Sequence, residues 1–221
     1  MNSPMFTRTS TQESALQTNK VLRNTYALLS MTLLWSAVVA GASMAMNLPH
    51  PGFIIMLVAF YGLLFMIEKN RNNGLGLGLT FVFTGFLGYT TGPILNMYLG
   101  AGMGDVIVTA LGGTALSFIA ASAYALTTKR DLSMMGGLML SLFVVLVVGV
   151  VASIFIQSTI LSLALSSLFI VFSTMAILMT TQSIIRGGET NYISATITLY
   201  VSIYNIFISL LSILGIMNNN D

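Results

Sequence analysis

The sequence predicts an all-α protein, a seven-helix transmembrane bundle with a central C-terminal helix, and three observations predict it. Only 6% of the residues are Asp, Glu, Lys or Arg, against roughly a quarter in soluble domains. The hydrophobic set reaches 56% and the mean hydropathy is +0.91, more apolar surface than a globule of 221 residues could hide from water. Finally, the apolar residues fall into long segments bounded by charge, Pro, Gly or Asn. Lipid is therefore the expected solvent. Seven helices of about 22 residues would use about 154 residues, leaving no room for a separate soluble domain.

Residues 1–24 come first, with Thr7, Thr9, Ser10, Thr11, Gln12, Ser14, Gln17, Thr18 and Asn19 and no repeating apolar face. They are expected to form a mobile polar tail. The transmembrane domain is expected over residues 25–217, with residues 218–221 as a short external end. Its first span covers about 26–46. Ala40, Gly41 and Ala42 offer a small-residue cleavage pattern, but the apolar run continues past it, so an uncleaved span is preferred. The second span, 53–67, has 15 apolar residues reaching only about 22 Å, so Glu68 and Lys69 must snorkel or the bilayer thin locally.

The third span, 75–98, places Gly74, Gly78, Gly85, Gly88 and Gly92 within about 80° on a helical projection, a face suited to close backbone approach. Pro93 is expected to kink or stop that helix. The fourth, 106–126, carries a similar small-residue stripe of Ala110, Thr114, Ser117 and Ala121. The fifth and sixth, 135–156 and 159–179, are separated only by Gln157 and Ser158. A tight hairpin is expected there, because one helix of about 45 residues would overshoot any bilayer.

The last span, 192–217, carries Ser194, Thr198, Ser202, Asn205, Ser209 and Ser212 on one narrow face. A polar stripe along a lipid-embedded helix is expected to turn inward, as interhelical glue in preference to an ion path. Tyr200 and Tyr204 lie off it and are expected to pack between helices. The basic residues Arg8, Lys20, Arg23, Lys69, Arg71, Lys129, Arg130 and Arg186 all fall on one side of this seven-span plan. The N-terminus is therefore expected in the cytoplasm and the C-terminus in the periplasm, across a bacterial inner membrane.

Chemistry is sparse. Without cysteine there is no disulfide or thiolate metal site. No Asp, Glu, Lys, Arg or His lies inside the predicted spans, which weakens proton-coupled transport. His50 sits between two prolines with no second ligand or triad partner nearby in sequence. The Gly74, Gly76, Gly78 alternation neither follows a strand nor has phosphate-loop spacing. The expectation is a non-enzyme with no catalytic, cofactor or metal site, membrane lipids around it, and no nucleic-acid partner.

Residues 179–215, MTTQSIIRGGETNYISATITLYVSIYNIFISLLSILG, resemble the last two spans of the transmembrane Bax-inhibitor-motif family. The likeness is carried by the connector Arg186, Gly187, Gly188, Glu189, Thr190, Asn191 and by Leu199, Tyr200, Tyr204, Asn205, Ile206 and Phe207. Length and span plan extend it over nearly the whole chain. For a bacterial member, the resemblance implies a partnership with the ATP-driven membrane protease FtsH. The protein would restrain FtsH as a slowly processed client gripped by its tail. Members described as pH-sensitive calcium leaks use two aspartates as a sensor, and here the matching positions hold Thr180 and Ser202. Neither ionises near neutral pH, so that mechanism does not carry over. What remains is a possible polar cavity at Thr180 and Ser202, with a pH-insensitive calcium or cation leak as the alternative function.

Overall fold

The computed structural model describes the backbone of residues 5–218 and the side chains of residues 16–218. Among them are seven α-helices and no strand: α1 (Met5–Ala45), α2 (Phe53–Lys69), α3 (Gly74–Gly100), α4 (Gly104–Thr127), α5 (Gly136–Phe155), α6 (Thr159–Ile185) and α7 (Tyr192–Asn218). A single 3-10 turn, Ser133–Met135, leads into α5. Six helical segments are long and apolar enough to cross a membrane; α2, with 17 residues, is the short one.

The beginning of the chain departs from expectation. Residues 5–24 are not coil but continue α1 without a break. The stretch contains no Gly or Pro and several good helix formers, among them Gln12, Glu13, Ala15, Leu16 and Gln17. Adding residues to a helix already nucleated in the bundle avoids the costly first turn, so no amphipathic period is required. At 1.5 Å per residue, 41 residues span about 62 Å, twice a hydrocarbon core of about 30 Å. About half of α1 is thus an arm beyond the bundle.

Pro93 does not stop α3, which runs on to Gly100. Proline lacks the N–H that would bond the carbonyl four residues back, at Tyr89. Ser43 on α1 supplies the missing donor, its Oγ donating to the Tyr89 carbonyl at 3.0 Å. The α5–α6 break falls where expected: Ile156 is extended, and the Ser158 side chain caps α6 by accepting from the Leu161 N–H at 3.5 Å.

The connectors gather into two sets. At the basic end, the α2–α3, α4–α5 and α6–α7 connectors meet through Asn191 with Asn72 and Arg186 with Asp131. At the neutral end, Asn96 donates to the Met44 carbonyl and the Tyr89 hydroxyl to the Pro49 carbonyl. α2 runs from one set to the other.

α7 is central, packed against α6, α4, α1 and α3. Its buried face meets Leu28, Leu29, Phe83, Leu87 and Ile177 through Leu199, Tyr200 and Ile206. α5 is peripheral and buries only Leu146. The glycine face of α3 is used over part of its length: a Cβ on Gly85 would meet the Trp35 indole nitrogen at 2.8 Å, one on Gly88 the Ser36 carbonyl, and one on Gly92 the Ser43 side chain at 2.5 Å. Gly74 and Gly78 have nothing within 4 Å, so the close α1–α3 seam begins above them.

Candidate functional site

Two polar networks stand out in a molecule with so few polar groups. The first lies at the basic end and is organised by the α6–α7 connector. Gln182, on the last turn of α6 and 4% exposed, reaches the α4–α5 connector with both ends of its amide. Its Nε2 donates to the Arg130 carbonyl at 2.8 Å and its Oε1 accepts from the Leu132 N–H at 2.7 Å. Arg186 adds a hydrogen bond to the Arg130 carbonyl at 2.8 Å and an ion pair with Asp131 at 2.9 Å. Asp131 also accepts from the Ser133 N–H at 2.9 Å. That backbone bond, then the Ser133 side chain and Arg186, hold its carboxyl below the usual carboxylate range.

Asn191 does the same for the α2–α3 connector. Its Oδ1 accepts from the Ile193 and Ser194 N–H groups at 3.0 and 3.1 Å, capping α7. Its Nδ2 donates to the Arg71 carbonyl at 3.0 Å and to Asn72 Oδ1 at 2.8 Å. Glu68, paired with Arg71, accepts from the Ser194 hydroxyl at 2.9 Å. Four residues of one connector region therefore fasten both neighbouring connectors.

The second network crosses the middle of the bundle. Tyr200 on α7 is 2% exposed, and its hydroxyl donates to Ser36 Oγ on α1 at 2.6 Å and lies 3.3 Å from the Thr84 carbonyl on α3. Tyr204 meets Thr90 at 3.5 Å, and Thr196 donates to the Thr25 carbonyl at 3.2 Å. With Trp35 Nε1 donating to the Phe81 carbonyl at 3.0 Å, these bonds tie α1 to α3 and α7. No His, Asp or Glu cluster able to hold a metal occurs among the described residues.

The stripe residues of α7 are unevenly placed. Ser202 and Ser209 are buried, Ser194, Asn205 and Ser212 half-buried, and Thr198 exposed. Thr198 and Ser202 donate to carbonyls of their own helix, those of Ser194 and Thr198, at 3.0 and 2.7 Å. Thr180 is half-buried on α6, beside α7. Ser194 reaches Glu68 on α2, and further interhelical bonds come from Tyr200, Tyr204 and Thr196 and from Ser36 and Ser43 on α1; of these five, sequence reasoning singled out the two tyrosines. Asn191 had a usable signal, an Asn immediately before an apolar run; Gln182 and Asp131 had none.

Residues 18–219 match the family described as Inhibitor of apoptosis-promoting Bax1, Bax1-I. A protein of Escherichia coli K12 named Modulator of FtsH protease YccA is 59% identical over 202 residues, covering 91% of this chain and 92% of that one. Its counterpart in E. coli O6:H1, named Inner membrane protein YccA, has the same identity and coverage. An uncharacterized protein of Pasteurella multocida is 59% identical over 212 residues, 96% of each chain.

Proposed function

The chain belongs to the Bax1-I family, and from that premise we propose that it is a multi-pass inner-membrane protein that binds FtsH and restrains it as a slowly processed client. The observation that carries this reading is its 59% identity, over 91% of the chain, to a relative named as a modulator of that protease. By the positive-inside rule, the end carrying Lys69, Arg71, Lys129, Arg130 and Arg186 faces the cytoplasm. The arm of α1 projects from the same end, and on this reading the chain crosses seven times, α2 included, so that Asn218 lies on the periplasmic side.

The fold gives the proposal a mechanical form. Helices in proteins draw most of their stability from packing an apolar face, and the arm has no repeating apolar face to pack, so an ATP-driven puller can melt it back toward the bundle and hold it. From Thr25 onward the resistance changes. Thr25, Trp35, Ser36 and Ser43 are each bonded to α3 or α7, along a seam where glycines let the backbones touch. Traction on α1 must break these contacts together, in surroundings where a freed backbone carbonyl finds no water. The protease would be occupied for as long as that takes. A proton-gated leak has no carboxylate to work with at Thr180 or Ser202, and Ser202 engages the Thr198 carbonyl.

Co-purification with FtsH and pulse-chase of the full chain against one lacking residues 2–15 test the proposal. The full chain should be captured and slowly consumed, while the shortened chain should be captured and persist. Equal lifetimes, or failure of the full chain to be captured, would refute it.

A further inference from the structure

A cavity of about 380 Å³ opens between the base of the α1 arm and the α6–α7 connector. Lys20 and Asn24 line it from α1, Glu189 and Thr190 from the connector, and Ile184 and Tyr192 from the ends of α6 and α7. We propose that this cavity binds the zwitterionic headgroup of a phospholipid, a phosphodiester monoanion joined to a primary ammonium. The inference is independent of any protease partner.

Its position is the first argument. The lining includes the last apolar turn of α6, the first residue of α7, and the turn of α1 where the polar arm gives way to the apolar span at Thr25. That boundary is the level of lipid headgroups, where a tyrosine ring such as that of Tyr192 is at home.

Its charge is the second. One cation and one carboxylate line the cavity from different elements, and neither belongs to the ion pairs among the described residues, which are Glu68 with Arg71 and Asp131 with Arg186. Glu189 is held in place because its Oε1 accepts from the Asn191 N–H at 2.7 Å, leaving Oε2 to face an ammonium. Lys20 provides the point charge that suits a phosphate, with the Asn24 amide and the Thr190 hydroxyl as further donors. Val21, half-buried on α1, offers apolar surface to the glycerol and the upper acyl chain.

The same chemistry sets the selectivity. An anionic headgroup without an amine would lie against Glu189 uncompensated, and a trimethylammonium has no N–H to donate to it. Phosphoethanolamine satisfies both walls. Its source, a bilayer lipid or the soluble phosphomonoester, is distinguished by experiment.

The test is native mass spectrometry of the full chain in detergent, titrated with phosphatidylethanolamine, phosphatidylcholine and phosphatidylglycerol of identical acyl chains, and with free phosphoethanolamine. Phosphatidylethanolamine should bind about tenfold more tightly than the other two lipids, the scale of one charge-assisted hydrogen bond. Glu189→Gln keeps an acceptor for the Asn191 N–H and should erase that preference. Lys20→Gln, at an exposed position, should weaken all three lipids alike. Equal binding of phosphatidylglycerol, an unchanged preference in Glu189→Gln, or competition by free phosphoethanolamine as strong as that of the lipid would each overturn the proposal.

Discussion

Ser43→Ala should weaken the bundle because of a proline fifty residues away. Pro93 denies the Tyr89 carbonyl its helical donor, and Ser43 Oγ replaces it at 3.0 Å from a site only 1% exposed. Alanine removes the hydroxyl without adding volume and leaves that carbonyl without its side-chain donor. An orphaned buried carbonyl costs about 1–3 kcal/mol, roughly a 5- to 150-fold change in the unfolding equilibrium. The control is Pro93→Ala, which restores an N–H at the position that should bond Tyr89. In that background Ser43→Ala should cost under about 1 kcal/mol, so the two substitutions are coupled. Reversible unfolding in mixed micelles, run as a double-mutant cycle, measures the difference. An identical loss in both backgrounds would show that Ser43 acts through packing alone and refute the reasoning.

Other expectations concern the seam and the basic end. Gly88→Ala should destabilise by about 1–3 kcal/mol, because the new Cβ falls on the Ser36 carbonyl. Gly78→Ala, with open space around it, should be neutral or gain up to about 1 kcal/mol; thermal unfolding in detergent compares them. Gln182→Ala should leave the Leu132 N–H without its acceptor and speed amide exchange at Leu132 by about tenfold or more, while exchange in α3 stays unchanged. Asp131 has a folded pKa below its ordinary 3.8, so its contribution is complete above that value and is lost as the pH falls through the lowered one. Protection of the Ser133 amide should accordingly be constant from neutral pH down to the ordinary carboxylate range and fall only below it, and Asp131→Asn should remove that step.

Much of this architecture was legible from the apolar segments, since helices are among the few structures that satisfy their backbones in lipid. The errors have physical causes. The arm lacks an apolar period, but a helix extended from a nucleated neighbour does not need one. The α7 stripe stands out by polarity, yet Thr198 lies exposed because a Thr hydroxyl can donate to the carbonyl four residues back within its own helix. Polarity in a membrane helix therefore does not by itself identify the buried face. The α7 face that binds its neighbours runs through Thr196, Tyr200 and Ile203; Tyr200 is expected from the sequence to pack between helices, but nothing local announces its hydroxyl's bond to Ser36 on α1. Asp131 and Arg186 are 55 positions apart, and nothing local to either announces the other.

Degradation of a second membrane substrate by reconstituted FtsH, followed as the full chain is added, measures the proposed restraint directly. The occupancy account predicts that the substrate's rate falls as this chain saturates the protease, while the chain itself disappears slowly, and that Ser43→Ala, being easier to extract, restrains less. A substrate rate indifferent to the chain at saturating concentration would contradict it.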